Sequence, residues 1–342
     1  MKFNNINYSK KEVFQRTGSI QQLAGSQKYT LEGGKGKGTS MIRVRNGSGL
    51  DFNIIADRAL DIFDVSFHGK QLAWISANGI VSNQNYEETG AGWLRSFGGG
   101  LLVTCGLRNV GPPIEDDGES FGLHGRISNI PARNVSIDEY WKEEIFYQKI
   151  SGEIRESNVF GENLVIYRTI QVNSDDAKIC IKDKIVNEGF TSQQLMLLYH
   201  INWGFPLFSE KTEIEMDVLK TRLRGKDSSK DLKWNSFSPP VRGFEEEVYF
   251  HDLNPDEENK ISYQLKNPDA GLGVKVLWDK SALPYLTEWK MTGESEYVLG
   301  MEPGNTLPLG RKAIRDEGKA EFLEPFGEKE VEIEVEFNAN EK

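Results

Sequence analysis

The feature that most constrains this chain is alternation of side-chain character with a period of two. Near the C-terminus Val331, Ile333, Val335 and Phe337 alternate with Glu330, Glu332, Glu334 and Glu336. Successive side chains on a strand face opposite ways, so this segment predicts a strand with one face in a core and an acidic face in water. Ile214, Met216 and Val218 repeat the pattern, as do Ile179 and Ile181 between Lys178 and Lys182. A hairpin is predicted where Ile42 and Val44 lead through Asn46-Gly47-Ser48-Gly49 to Leu50, Phe52 and Ile54, because Asn and Gly accept the positive φ of a tight turn. Only Ser9 to Ala24 suggests a short helix or two. The whole predicts an all-β chain of mostly antiparallel strands, in a sandwich or large barrel.

No linker or shift of composition divides the chain, so one domain over 1–342 is expected. The polar stretch Gly225 to Pro240 reads as a long surface loop. The run Gly33 to Gly38 lacks the strand–turn–helix setting of a phosphate loop and reads as a loop as well. The formal net charge of −11 argues against nucleic acid and anionic membrane as partners. No apolar run is long enough to cross a bilayer, and the N-terminus has no apolar core of a secretory signal; a cytoplasmic location is the expectation. Cys105 and Cys180 are expected to be reduced thiols. The chain is expected to be a monomer or homodimer.

Chemistry concentrates in three separated motifs. Leu123-His124-Gly125 follows an acidic loop; Tyr199-His200-Ile201-Asn202-Trp203 ends an apolar run; Glu302 lies between Gly300-Met301 and Pro303-Gly304. Imidazole titrates near neutrality, and a carboxyl in an apolar setting has its pKa raised, so His124, His200 and Glu302 suit proton transfer on a polar substrate. Arg108, Asn109 and Arg126 surround the first histidine in sequence, Asn202 and Trp203 follow the second, and Trp93, Arg95 and Phe97 are further candidates for the same cleft. Three glycines, Gly98 to Gly100, imply close approach of another backbone or a ligand. Asp57, Arg58 and Asp61 suggest first an Asp–Arg structural pair, and second a sugar contact by Arg58. His68 reads as an exposed turn; His251-Asp252 reads equally as strand-end support or substrate contact. No histidine or cysteine pair has metal-site spacing, so neither a metal nor another cofactor is expected.

These motifs, in this order, resemble the aldose 1-epimerase (galactose mutarotase) superfamily. Leu123-His124-Gly125 is similar to its Leu-His-Gly segment; Tyr199-His200-Ile201-Asn202-Trp203 to the segment with its second histidine; Glu302, with Pro303 and Asn305 after it, to its late Glu. Trp93 to Asn134 looks closest to the branch labelled DUF4432. The resemblance implies a β-supersandwich, a sugar contact for His124, a general acid at His200 and a base at Glu302. Asp252 stands in for the family's hydroxyl-binding Asp, and Arg108-Asn109 carries its Asn-Arg pair in reverse order.

The expected function is interconversion of the α and β anomers of a small carbohydrate. Arg58, Arg108 and Arg126 point toward an acidic sugar, because guanidinium matches oxyanions. Two alternatives stand beside it. A glycoside hydrolase or lyase would pair Glu302 with Glu288 or Asp57, and a noncatalytic carbohydrate-binding protein would need no acid–base pair.

Overall fold

The computed structural model describes residues 1–3, 6–225 and 232–339. Three antiparallel sheets dominate it, of five, eight and seven strands. The five-stranded sheet holds the hairpin read from Asn46 to Gly49, with Ser40–Arg45 paired to Leu50–Ile55. At its far edge, His68 turns the chain with φ 48° and is exposed. The two short helical pieces near the N-terminus are Lys10–Phe14 and Ile20–Gln22.

The alternating C-terminal segment is the strand Glu328–Ala339, inside the eight-stranded sheet. Its apolar residues meet those of Lys178–Asn187, with Ile181 opposite Ile333 and Ile179 opposite Val335. The opposite face is not merely solvated. Lys178 pairs with Glu334 and Glu336, Lys182 with Glu332 and Lys184 with Glu328, so cross-strand charge pairs hold the register from outside. The pattern over Ile214, Met216 and Val218 is one strand by periodicity but two in space. Glu213–Met216 belongs to the eight-stranded sheet and Val218–Leu223 to the seven-stranded sheet, the chain changing sheet at Asp217.

Strands of the seven-stranded sheet are labelled in chain order: β1 Leu102–Leu107, β2 Gln193–Trp203, β3 Val218–Leu223, β4 Glu247–Leu253, β5 Tyr285–Thr292, β6 Tyr297–Gly304 and β7 Glu321–Leu323. Their order is β3-β4-β5-β6-β2-β7, with β1 also paired to β2. The inward residues of β2 and β6, among them Leu197, Tyr199, Ile201, Leu299 and Met301, join the apolar faces of the other two sheets in one continuous core. Their neighbours Met196, Leu198 and Val298 pack on the other face, with Trp74, Trp93 and Phe97.

A buried polar cluster ties the three sheets together. Arg168, fully buried, donates two hydrogen bonds to Asp183 and one each to Asp61 and the Ala59 carbonyl. Tyr199 donates to Asp183 over 2.8 Å, and Thr104 to Asp61 over 2.6 Å. The cationic partner of Asp61 is therefore Arg168, not Arg58 as the local motif suggested. The glycine run at 98–100 is a place of close backbone approach: a Cβ on Gly98 would lie 2.2 Å from the Gly79 carbonyl oxygen, and one on Gly99 would lie 2.5 Å from that of Trp74. The loop read over Gly225–Pro240 is irregular and largely exposed from residue 232 on, while residues 226–231 lie outside the described residues. Both cysteines are free thiols, Cys105 buried. Among the described residues, no helix is long and apolar enough to cross a membrane.

Candidate active site

Alternation along β2 sends Tyr199 and Ile201 into the core and leaves His200 on the opposite face, at the floor of a cavity of about 490 Å³. Asn202 opposite Gly300 and Leu198 opposite Gly304 set the register of β2 and β6, which brings His200 across from Glu302. Nε2 of His200 and Oε1 of Glu302 are 3.1 Å apart, at an angle that does not make a hydrogen bond. Gly300 makes room for that carboxyl, because a Cβ there would fall 2.8 Å from Glu302 Oε1 and 3.1 Å from Trp289 Cβ.

His124 enters from the loop before the short turn at 127–129. Its φ is 57°, an uncommon value for a residue other than glycine, and Gly125 follows at 72°. Two backbone bonds lock this conformation: the His124 N–H donates to the Gly111 carbonyl, and its own carbonyl accepts from the Gly106 N–H. The ring stands 5.9 Å from that of His200, nearly perpendicular. Both histidines share the cavity with Glu302.

Aromatic rings form the remaining walls. Trp93 stacks on Phe97 at 4.4 Å, Phe97 lies 5.3 Å from His200, and Trp289 meets His200 edge-on at 5.5 Å. Trp289 Nε1 donates to Glu246, which also pairs with Arg224 at 2.5 Å. Flat apolar faces beside a few convergent polar groups suit a sugar, whose C–H faces and hydroxyls need both. Nδ1 of His124, Nδ1 of His200 and Oε1 of Glu302 are buried and have no hydrogen-bond partner among the described residues. Buried polar atoms are rarely left so, and here all three belong to residues that line one cavity.

Burial sets the proton positions. It pushes Glu302 up to about 8, helped by the negative charge of Glu246. It lowers His200 to about 3, with His124 adding to the effect, and lowers His124 to about 4. With the two values displaced in opposite directions, the His200–Glu302 pair holds one proton near neutral pH, and burial favours its place on Glu302.

Seven residues expected to contact substrate stand elsewhere. Arg58 is buried and donates to the carbonyls of Ser96 and Ser128. Arg108 forks onto Glu119 and reaches Glu162, and Arg126 pairs with Glu88. Asn109 bonds the carbonyls of Pro112 and Gly122, bracing the loop of His124. Asn202 bonds the carbonyls of Gly100 and His200, and Trp203 lies in the core with its Nε1 on the Tyr263 hydroxyl. Asp252 is exposed and pairs with Lys280. Of the further candidates, Trp93 and Phe97 line the cavity, whereas Arg95 pairs with Glu87 at the surface. Sequence reading missed Arg224, Glu246, Thr287 and Trp289. His251, left open between support and contact, bridges Thr221 and Glu288 in the interior. Among the described residues one group has metal-like convergence, Cys180 with Glu332 and Glu334, and it lies on the eight-stranded sheet.

A family model described as a domain of unknown function, DUF4432, matches residues 36–337. No curated protein matches the chain. Among solved structures, a Klebsiella pneumoniae protein provisionally described as an aldose 1-epimerase superposes with a TM-score of 0.86 at 22% identity, over 94% of this chain and 86% of its own. A galactose mutarotase-like protein from Clostridium acetobutylicum gives 0.65 at 13% identity, over 93% and 99%. The galactose 1-epimerase of Lactobacillus acidophilus gives 0.61 at 12% identity, over 93% and 100%. At these identities the likeness is one of fold: the expected galactose mutarotase-like β-supersandwich.

Proposed function

This chain belongs to the DUF4432 family, and from that premise and the cavity's geometry we propose that it is an aldose 1-epimerase-like isomerase that interconverts sugar anomers. The observation that carries the reading is the 3.1 Å approach of His200 to Glu302 in an aromatic cavity. Opening a hemiacetal ring requires removal of a proton from the anomeric hydroxyl and delivery of one to the ring oxygen. Those two oxygens are bonded to a single carbon, so an acid and a base that nearly touch can serve both.

The proton positions exchange the resting roles expected from sequence. Glu302, protonated near neutral pH, gives its proton to the ring oxygen, and neutral His200 takes the proton of the anomeric hydroxyl. The C1–O5 bond breaks to the free aldehyde. Rotation about C1–C2 presents the other face, and the transfers run backward on closure, so no proton is gained or lost overall. In this reading His124 holds an oxygen near the anomeric centre, and Trp93, Phe97 and Trp289, which line the same cavity, pack the ring.

The hydrolase alternative is less supported. Glu288 is committed to His251 and Asp57 to the Ser40 N–H, and neither lines the cavity. Magnetisation-transfer NMR between anomers, on a panel of aldoses, tests the isomerase. Wild type should accelerate exchange and Glu302→Gln should slow it by about 10²–10⁴-fold. Binding of sugars with no acceleration would leave a carbohydrate-binding protein instead.

A further inference from the structure

The face of the sheet that holds the cavity continues into a second cleft, of about 530 Å³, walled by Lys220, Arg222, Lys280 and Lys319 with Phe250 and Tyr285, and by one carboxylate, Asp252, which stands opposite Lys220. The chain carries a net charge of −11, so four cations around one cleft run against its average surface. The two depressions adjoin: Leu307 lines the cleft and the next residue, Pro308, lines the cavity. One rung of the sheet also joins them, with Arg222 opposite Phe250, Phe250 opposite Thr287, and Thr287 opposite Glu302.

The two depressions differ in available charge. In the cavity Arg224 is neutralised by Glu246. In the cleft Lys280 pairs with Asp252 and Lys319 with Glu317, but Lys220 and Arg222 make no hydrogen bond or ion pair to a carboxylate among the described residues. The Arg222 guanidinium lies over the Phe250 ring, 4.7 Å from its centroid. Phe250 is two strand spacings from Glu302, about 10 Å. One sugar unit, with hydrogen bonds at its anomeric end and an anionic group on its exocyclic carbon that meets the long side chains reaching over Phe250, covers a span of that order.

Resting on the isomerase reading, we propose that the substrate is an aldose with a phosphate, sulfate or carboxylate remote from its anomeric carbon, and that Lys220 and Arg222 bind that group. Guanidinium and ammonium donors together satisfy the several oxygens of such an anion. The acidic sugar first suggested by Arg58, Arg108 and Arg126 is thereby assigned to different cations, since those three are taken up by carboxylates or backbone carbonyls.

The test uses matched pairs, glucose with glucose 6-phosphate and galactose with galacturonate. Binding is titrated by NMR in Glu302→Gln protein, which should bind without exchanging anomers. At least one anionic member should bind tenfold or more tighter than its neutral parent. Adding Lys220→Gln and Arg222→Gln should bring that ratio near one, and salt should compress it. Equal binding of both members in both pairs, a preference untouched by the two substitutions, or binding of no member would overturn the proposal. Exchange is measured separately in wild type. A charge preference without exchange supports the cationic cleft and overturns the isomerase reading, whereas exchange of the neutral sugars without any preference does the reverse.

Discussion

Oε1 of Glu302 and Nε2 of His200 lie 3.1 Å apart on paired strands, and burial drives their proton affinities in opposite directions. Between pH about 3 and about 8 the pair therefore holds one proton, the number that ring opening needs. Exchange catalysed by the protein should hold a plateau across the neutral range and fall above pH 8, as the pair loses that proton. Anomer exchange followed from pH 6 to pH 9.5, corrected for the uncatalysed rate, checks this. A rate that climbs through pH 8 would mean that ionised Glu302 is the working form.

The strand architecture was legible because alternation is a local signal: Val331 to Phe337 declares its buried face without help from any other segment. His124, His200 and Glu302 could be singled out because their settings, glycine around His124 and Glu302 and aromatics after His200, are unusual for groups so polar. The rest of the wall was not legible. Arg224 and Glu246 flank a long loop and meet only when β3 and β4 pair, while Trp289 reads as an ordinary strand aromatic. The arginines misled in the other direction. Arg108 and Arg126 find carboxylates at Glu119 and Glu88, contacts that sequence spacing does not reveal.

Gly300 should matter more to activity than to stability. An added Cβ at 2.8 Å from Glu302 Oε1 presses on the movable end of a side chain, which can swing away, and only secondarily on Trp289 Cβ at 3.1 Å. Gly300→Ala is expected to unfold within about 1 kcal/mol of wild type yet lose tenfold or more in exchange rate, as the carboxyl leaves His200. Urea unfolding and NMR exchange on one preparation separate the two effects. Full activity would show that the observed carboxyl position is not needed.

Arg168 should be a pillar of stability without touching the cavity. Its removal leaves Asp183 and Asp61 in the core without a cation, and uncompensated burial of this kind costs about 3–5 kcal/mol. Arg168→Met should lose that much in urea unfolding at pH 7. Part should return when Asp183→Asn is added, because a neutral amide needs no cation. A single variant as stable as wild type would show that water or repacking relieves the two carboxylates.

His124 links the cavity to acid stability. Its folded-state value is lowered to about 4 by burial, against about 6.5 for a free imidazole, so between these limits the unfolded chain binds the extra proton. Its contribution is therefore intact above pH 6.5 and lost as pH falls toward 4. Glu302, raised to about 8, acts oppositely over part of this range, its protonation favouring the folded state as pH falls, so the wild-type profile alone does not isolate the histidine. His124→Asn does, since Asn tolerates the φ of 57° and does not titrate. From pH 7 to pH 5 the variant should lose less stability than wild type, by on the order of 2 kcal/mol. Paired urea titrations at the two pH values give that difference. Parallel losses in the two proteins would mean that the His124 ring takes up its proton in the folded state as freely as in the unfolded chain.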